Sequence, residues 1–155
     1  NCPLTGNPQS VAAPLAPPKL EVGGAGLVST AADYLRFAEM LRAGGALGGE
    51  RVLSPATVRW MGSDHLQGIE GGPDRMDPGL KGYGFGLTVA VRRNPGGSAF
   101  MGAPGAFGWS GVFGTFFWVD PVERLAVVLM AHAPGEMRLR YRRLINMLTY
   151  QAIEG

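Results

Sequence analysis

Two apolar runs near the end of the chain place the strongest constraint on its fold. Gly114 to Val119 and Leu125 to Ala131 are apolar on both faces, as is typical of strands that are covered on both sides of a sheet. They are joined through the short polar segment Asp120-Pro121-Val122-Glu123. Because parallel strands need a crossover of about a dozen residues or more, this connection predicts an antiparallel hairpin.

An alternation of bulky and small residues predicts one further strand over residues 83–91. Its bulky positions are Tyr83, Phe85, Leu87, Val89 and Val91, and its small positions are Gly84, Gly86, Thr88 and Ala90. This period of two is the pattern of a strand. Glycine leaves one face nearly bare, so we expect a helix to approach that face closely. We expect the strands between about 83 and 131 to form one antiparallel sheet.

Three helices are predicted, over about 30–43, 55–62 and 136–153. Ser29-Thr30 followed by Asp33, and Ser54 followed by Pro55, are capping signals for the first two. The third is amphipathic, and its apolar residues recur at helical spacing as Met137, Tyr141, Leu144, Ile145, Leu148 and Ala152. Helices before and after an antiparallel sheet, without alternation of strands and helices, predict an α+β fold.

Composition indicates a globular domain rather than a disordered or membrane-spanning chain. Apolar residues make up 46% of the 155 residues, charged residues 17%, and the net charge is +2. The longest Leu/Val/Met/Ala run has seven residues, whereas a membrane helix needs about 20. The single cysteine excludes an internal disulfide and leaves the cellular compartment open. We expect residues 1–22, with five prolines, to be an extended lead-in, and 23–155 to be a segment of one domain from a longer protein.

General motifs for catalysis and cofactor binding are mostly missing. The sequence has no Gly-x-Ser-x-Gly elbow, phosphate-binding loop or dinucleotide fingerprint. His65 and His132 have no ligand partners at suitable spacing, so we expect no metal and no cofactor. Four arginines between 138 and 143 could suggest nucleic acid. The nearby Glu136 and the low net charge favour a solvated helix face instead.

An aromatic cluster precedes and enters the apolar hairpin. Its members are Phe107, Trp109, Phe113, Phe116, Phe117 and Trp118. Most of them are expected in the core of the sheet. Trp109 is the exception, because glycines at 105, 108 and 111 frame it. Glycine at the entry to a strand lets another backbone or a substrate come close.

Four segments together resemble the C-terminal half of the β-lactamase-related serine hydrolases, and within them the class C-like carboxylesterases of the family VIII type. They occur in the family's order, from about Gly23 to the C-terminus: Gly23-Gly24-Ala25-Gly26-Leu27-Val28-Ser29-Thr30-Ala31-Ala32-Asp33-Tyr34, Val52-Leu53-Ser54-Pro55-Ala56-Thr57-Val58, Tyr83-Gly84-Phe85-Gly86-Leu87 and Phe117-Trp118-Val119-Asp120-Pro121. The resemblance implies the C-terminal portion of a β-lactamase/transpeptidase-like fold, with a packed C-terminal helix.

The resemblance also implies site residues. The family's third motif, of Lys/His-Thr/Ser-Gly type, maps to Trp109-Ser110-Gly111, and the backbone N–H of Val112 would then be an oxyanion donor. Trp109 resembles the Trp-Gly-Gly of the esterase branch and would shape an apolar pocket for the acyl or alcohol group. Ser110 matches the peptidase pattern and would orient substrate, so the substrate class stays open.

The family's nucleophile and second motif do not occur in this sequence. Ser-x-x-Lys would need a serine three residues before Lys19 or Lys81, where Ala16 and Pro78 stand. No tyrosine is followed by asparagine two positions on. We therefore expect the catalytic serine, its base and the Tyr-x-Asn motif to lie in a missing N-terminal half of the same domain, and this chain alone to be inactive.

The resemblance implies an acyl-enzyme serine hydrolase whose substrate is a small-molecule ester or a β-lactam-like compound. A carboxylesterase is the first interpretation, and a β-lactamase or D-amino-acid peptidase is the alternative within the family. A non-catalytic binding module that lacks the nucleophile is the alternative from another class. Neither a nucleic-acid partner nor a membrane span is expected.

Overall fold

The computed structural model of the chain describes residues 27–69, 73, 78–133 and 135–153. Its helices are α1 (Ala31–Arg42), α2 (Pro55–Met61) and α3 (Met137–Gln151). A small antiparallel hairpin, β1 (Ala46–Leu47) and β2 (Glu50–Arg51), connects α1 to α2. The remaining strands are β3 (Tyr83–Phe85), β4 (Ala90–Arg92), β5 (Phe107–Ser110), β6 (Phe116–Asp120) and β7 (Leu125–Leu129). The fold is α+β, as the order of the predicted elements indicates.

Strands β3 to β7 form one sheet in sequence order, and each strand pairs antiparallel with the next. The expected hairpin is β6–β7, in register from Phe116↔Leu129 to Asp120↔Leu125. Its turn contains Arg124 with φ of 52°. The predictions of antiparallel pairing and of a single sheet over this part of the chain are confirmed.

The prediction of one strand over 83–91 is wrong, because this stretch is the hairpin β3–β4. Gly86 donates its N–H to the Val89 carbonyl at 2.8 Å, and Thr88 adopts a φ of 66°, so the chain reverses between these residues. A side chain at Gly86 would collide with the Met61 carbonyl at the end of α2. The expected close approach of a helix to the bare face therefore occurs. The alternation of residue sizes persists through the turn, which is why the pattern resembles one strand.

The predicted helix caps are present. Thr30 Oγ1 accepts a hydrogen bond from the Asp33 N–H at 3.1 Å, and Ser54 Oγ accepts one from the Thr57 N–H at 3.0 Å. These bonds satisfy N–H groups that have no partner within the first helical turn. All three helices begin and end within about two residues of the predicted positions, which is the usual spread in assigning helix ends.

The two faces of the sheet are covered by different helices. Strand β6 presents Phe117 and Val119 to α1, where Phe117 meets Tyr34 edge to face at 5.2 Å between ring centroids. On the opposite face, Trp118 stacks on Tyr150 of α3. This alternation along β6 is the reason that the strand is apolar on both faces.

The face of helix α3 that packs against the sheet is not the face that the sequence predicts. The residues of the apolar stripe of α3 are between 41% and 49% exposed: Met137, Tyr141, Leu144 and Leu148. In contrast, Arg142 and Asn146 are buried, and only 3% of each is exposed. The expectation that the arginines between 138 and 143 form a solvated face is therefore wrong for Arg142. The buried polar groups bind loop carbonyl and N–H groups at the end of the sheet, and these bonds offset their desolvation.

The predicted division at residue 22 concerns a segment that lies outside the described residues. No helix in the described ranges is long and apolar enough to cross a bilayer.

Candidate active site

Strand β5 carries the predicted motif residues Trp109 and Ser110 at its C-terminal end. Strand β6 pairs with all four residues of β5, but β4 pairs only with Phe107 and Gly108. In the described part of the chain, Trp109 and Ser110 therefore have a strand neighbour on one side only. We call their other side the open edge of β5.

The hydrogen-bond pattern fixes which peptide groups face the open edge. The Ala106 carbonyl accepts from the Arg92 N–H on the β4 side at 2.8 Å, whereas Gly111 donates its N–H to Thr115 on the β6 side at 2.9 Å. Successive residues of a strand turn their N–H and C=O groups to opposite edges. By this alternation the N–H and C=O of Ser110 point to the open edge, where they can hydrogen-bond an extended ligand.

The Trp109 side chain lies on the α1 side of the sheet. Its ring is half-buried, packs against the core, and meets Phe85 edge to face at 5.2 Å between centroids. Gly108, beside it, lies against the backbone of Phe117 and Trp118, and a side chain there would collide with them. The absence of a side chain at Gly108 lets β6 lie close to β5. The presence of glycine here therefore does not require the close approach of a substrate.

The segment after β5 is a tight turn of residues Gly111 to Thr115, here named the 111–115 turn. Gly114 donates its N–H to the Gly111 carbonyl at 3.1 Å. Val112 is 41% exposed, and within the described residues its N–H donates to no acceptor. A backbone N–H that has no acceptor among the described residues can donate to a ligand oxygen.

Two arginines of α3 reach the 111–115 turn. Arg138 Nη1 donates to the Val112 carbonyl at 3.1 Å. Arg142 Nη2 donates to the Thr115 carbonyl at 3.1 Å and also to the Gly111 carbonyl. The sequence interpretation missed both roles. Their signal is a four-residue repeat, since Arg138, Arg142, Asn146 and Tyr150 lie on one face of the helix.

A small cavity adjoins Ser110 between the sheet and α3, with a volume of about 40 Å³. Its walls are mostly aromatic and apolar, with Phe100, Phe116, Trp118 and Leu139 among them, and its polar lining residues are Ser110, Arg142 and Asn146. One water needs about 10–15 Å³ in this measure, so the space suits a few waters or a short alkyl group. Trp109 also contributes to the lining.

Each of the two histidines contacts a neighbouring residue of the fold. His65 Nε2 lies 2.9 Å from the Trp60 carbonyl, and His132 stacks on Phe113. Among the described residues no group of three or more His, Cys, Asp or Glu side chains is placed to hold a metal ion. In the same residues, no serine hydroxyl hydrogen-bonds a lysine or histidine side chain that could activate it.

Comparison with known proteins decides the family. The family model described as Beta-lactamase matches residues 2–151. The chain belongs to the beta-lactamase family. It is 39% identical over 123 residues to Protein Rv1367c of Mycobacterium tuberculosis, a match that covers 76% of this chain and 31% of that protein.

Solved structures agree with this assignment. This beta-lactamase family chain superposes with a TM-score of 0.69 on "EstCE1, a hydrolase with promiscuous acyltransferase activity", at 32% identity over 83% of this chain and 31% of that one. Simvastatin Synthase (LovD) from Aspergillus terreus, at 16% identity and a TM-score of 0.58 over 75% of this chain and 32% of that one, shares the fold. The chain thus spans about a third of the length of these relatives, and it has the C-terminal part of the β-lactamase-related serine hydrolase fold.

Proposed function

We propose that the complete protein is a serine hydrolase that cleaves small neutral carboxylic esters through an acyl-enzyme. The observation that carries this proposal is the motif Trp109-Ser110-Gly111, whose first two residues lie at the open edge of β5. Its first residue is an uncharged indole, where lactamase and peptidase relatives usually carry a cation. A cation there would pair with a substrate carboxylate, and a charge-assisted contact of that kind contributes about 1.5–3 kcal/mol. Trp109 offers apolar ring surface instead.

The reaction follows from the groups that the two halves would contribute. A serine outside this chain attacks the ester carbonyl, and the alcohol leaves with a proton. Water then attacks the acyl-enzyme, releases the carboxylic acid and regenerates the serine. In this chain the Val112 N–H would donate to the tetrahedral oxyanion, and Ser110 would orient the substrate through the open edge. The short cavity beside Ser110 would favour short acyl or alcohol groups.

The proposal includes the missing N-terminal half of the domain as the partner of this chain. The exposed apolar stripe of α3 supports it, because Tyr141, Leu144 and Leu148 lie in a row with more than 40% of each residue exposed. Globular proteins bury such rows against another element. This chain covers about a third of the relatives' length, which agrees with a large N-terminal part that completes the domain.

A β-lactamase or D-amino-acid peptidase is the second candidate, and Ser110 and the nearby arginines favour it. Arg138 and Arg142 bring positive charge to the 111–115 turn, which directly follows Ser110. Each of them already donates to carbonyl groups of that turn. These cations could recognise the carboxylate that Trp109 cannot. A non-catalytic binding module remains the candidate from another class.

Substrate preference of the complete protein tests these candidates. We expect higher kcat/KM for p-nitrophenyl butyrate than for a carboxylate-bearing penicillin. Trp109→Lys is expected to lower ester kcat/KM and to raise any activity on the penicillin. A wild-type preference for the penicillin would replace the esterase proposal with the lactamase or peptidase one. The absence of turnover and of serine labelling would favour the binding module.

A further inference from the structure

Two guanidinium groups on consecutive turns of α3 hold three carbonyl groups of the 111–115 turn. Arg142 binds the carbonyls of Gly111 and Thr115, and Arg138 binds that of Val112. Arg142 is only 3% exposed, so its charge lies inside the protein beside these peptide groups. Burying a guanidinium is costly, and hydrogen bonds to charged groups offset part of that cost.

The Gly111 carbonyl and the Val112 N–H belong to the same peptide unit. Because a trans peptide is planar, its C=O and N–H point in opposite directions. Arg142 on α3 holds the carbonyl oxygen, and the Gly114 N–H donates to the same oxygen at 3.1 Å. The Val112 N–H is thereby directed away from α3. Rotation of this peptide would break both bonds and turn the N–H inward.

The positive charge at the oxygen end also acts on the donor itself. Hydrogen bonds that share a peptide group polarise one another, so an N–H becomes a stronger donor when its carbonyl is bound by a cation. The Arg138 bond to the Val112 carbonyl restrains the following peptide in the same way. The segment is therefore fixed on both sides of the Val112 N–H before any ligand arrives.

We propose that Arg142 is a positioning residue that, with Arg138, sets the direction and strength of the Val112 N–H as a donor to the developing oxyanion. This proposal rests on the function proposed above, in which that N–H contacts the substrate oxygen. A preorganised donor accelerates the reaction because it stabilises charge that develops in the transition state and costs no reorganisation. Neither arginine needs to touch the substrate for this role.

The test uses the complete protein with Arg142→Met and Arg142→Lys. Arg143→Met is the matched control, because Arg143 is exposed on the next position of the same helix. Loss of one oxyanion donor lowers kcat by about 10²–10³-fold, and misdirection of the donor should cost part of that. We expect Arg142→Met to lower kcat by about 10- to 100-fold with little change in KM. Arg142→Lys should recover part of the loss, and Arg143→Met should leave kcat unchanged.

A transition-state analogue separates positioning from a purely structural role. Butaneboronic acid forms a tetrahedral adduct with a serine nucleophile, and we expect its affinity to fall with kcat in Arg142→Met. Thermal unfolding of each variant reports whether the protein is folded during the assay. A folded Arg142→Met protein that keeps wild-type kcat and boronate affinity would overturn the proposal.

A double-mutant cycle tests whether Arg142 acts through Val112. Val112→Pro removes the N–H, so adding Arg142→Met to Val112→Pro should cost little more in kcat. Independent, additive losses would overturn the proposed route. Failure of the proposed function has a different signature, since a wild-type protein that neither turns over esters nor binds the boronate defeats both proposals. An active wild-type protein whose Arg142 variants keep wild-type kcat defeats this proposal alone.

Discussion

At the scale of single residues, Asp120 at the end of β6 places a carboxylate in the described core, where it needs hydrogen-bond partners. It is fully buried and accepts hydrogen bonds from the Tyr150 hydroxyl at 2.7 Å and from the N–H of Ala103 at 2.9 Å. It also accepts from the N–H groups of Val122 and Glu123 in the β6–β7 turn. Burial and the Asp120 carboxylate raise the pKa of Tyr150 well above its usual value. Asp120 thus joins the sheet, its hairpin turn and α3.

Asp120→Ala is expected to destabilise the complete protein strongly. The substitution removes four hydrogen bonds to a buried carboxylate, and a hydrogen bond to a charged group contributes about 1.5–3 kcal/mol. We expect the free energy of unfolding in urea to fall by more than about 3 kcal/mol. Glu123→Ala is the control, because only the backbone of Glu123 takes part in the cluster. Equal, small losses in both variants would contradict this role.

Asp64 connects the end of α2 to the β3–β4 hairpin and makes stability depend on pH. Burial alone would raise the pKa of its carboxyl group, but the Arg93 side chain and the N–H groups of Leu66 and Phe85 hydrogen-bond it, and the net effect lowers that pKa. A lowered carboxyl pKa stabilises the folded state above the unfolded-state pKa of about 4. That contribution is lost as the pH falls through the folded-state value.

The free energy of unfolding should therefore fall as the pH is lowered below about 4. We expect this fall to be smaller in Asp64→Asn, whose amide does not titrate. Urea unfolding at a series of pH values from neutral to acid provides the measurement. Parallel curves for wild type and variant would show that Asp64 contributes nothing to the pH dependence.

At the scale of elements, the sequence predicted types and approximate positions better than orientations. Capping residues such as Thr30 and Ser54 are local signals, and the helices begin after them. The β3–β4 hairpin was missed because Thr88, which takes the positive φ, is not a typical turn residue. The orientation of α3 was missed for another reason. Its pattern of apolar residues predicts which face is to be buried, but the described contacts bury the opposite polar face.

The motif at β5 shows the same limit at the candidate site. The resemblance pointed to Trp109, Ser110, Gly111 and Val112. The hydrogen bonds that these residues make could not be derived from the sequence. Arg142 contacts Gly111 from a helix 31 residues further on. Such a contact depends on how α3 crosses the end of the sheet. Only a three-dimensional arrangement reveals it.

The apolar stripe of α3 gives a prediction for Leu144→Gln combined with Leu148→Gln. If the rest of the domain covers this stripe, the double variant should destabilise the complete protein by about 3 kcal/mol or more, since burial of one leucine contributes about 1.5–3 kcal/mol. The exposed stripe also predicts that the isolated chain self-associates and that the same variant reduces this association, measured by sedimentation velocity. Arg140→Gln, on an exposed position of α3, is the control. Unchanged stability of the complete protein would mean that the stripe stays in contact with water there.

At the scale of the whole molecule, this chain supplies one wall of the proposed site. It offers an open strand edge, a directed N–H donor and a short cavity, all at one end of the sheet. It offers no serine hydroxyl bonded to a lysine or histidine within the described residues. Binding groups without a nucleophile can stabilise a transition state but cannot form an acyl-enzyme.

The isolated chain should therefore resist covalent labelling at serine. Slow turnover is a poor test, because oxyanion and binding groups alone can leave about 10³-fold catalysis over water after a triad is removed. A fluorophosphonate reacts rapidly with an activated serine and very slowly with an unactivated one, so mass spectrometry of the treated chain should show no stoichiometric adduct. The complete protein should be labelled once, at a serine outside this chain. A stoichiometric adduct on Ser110 or any other serine of the isolated chain would show that the nucleophile lies here, and the division of the site between two halves of the domain would have to be abandoned.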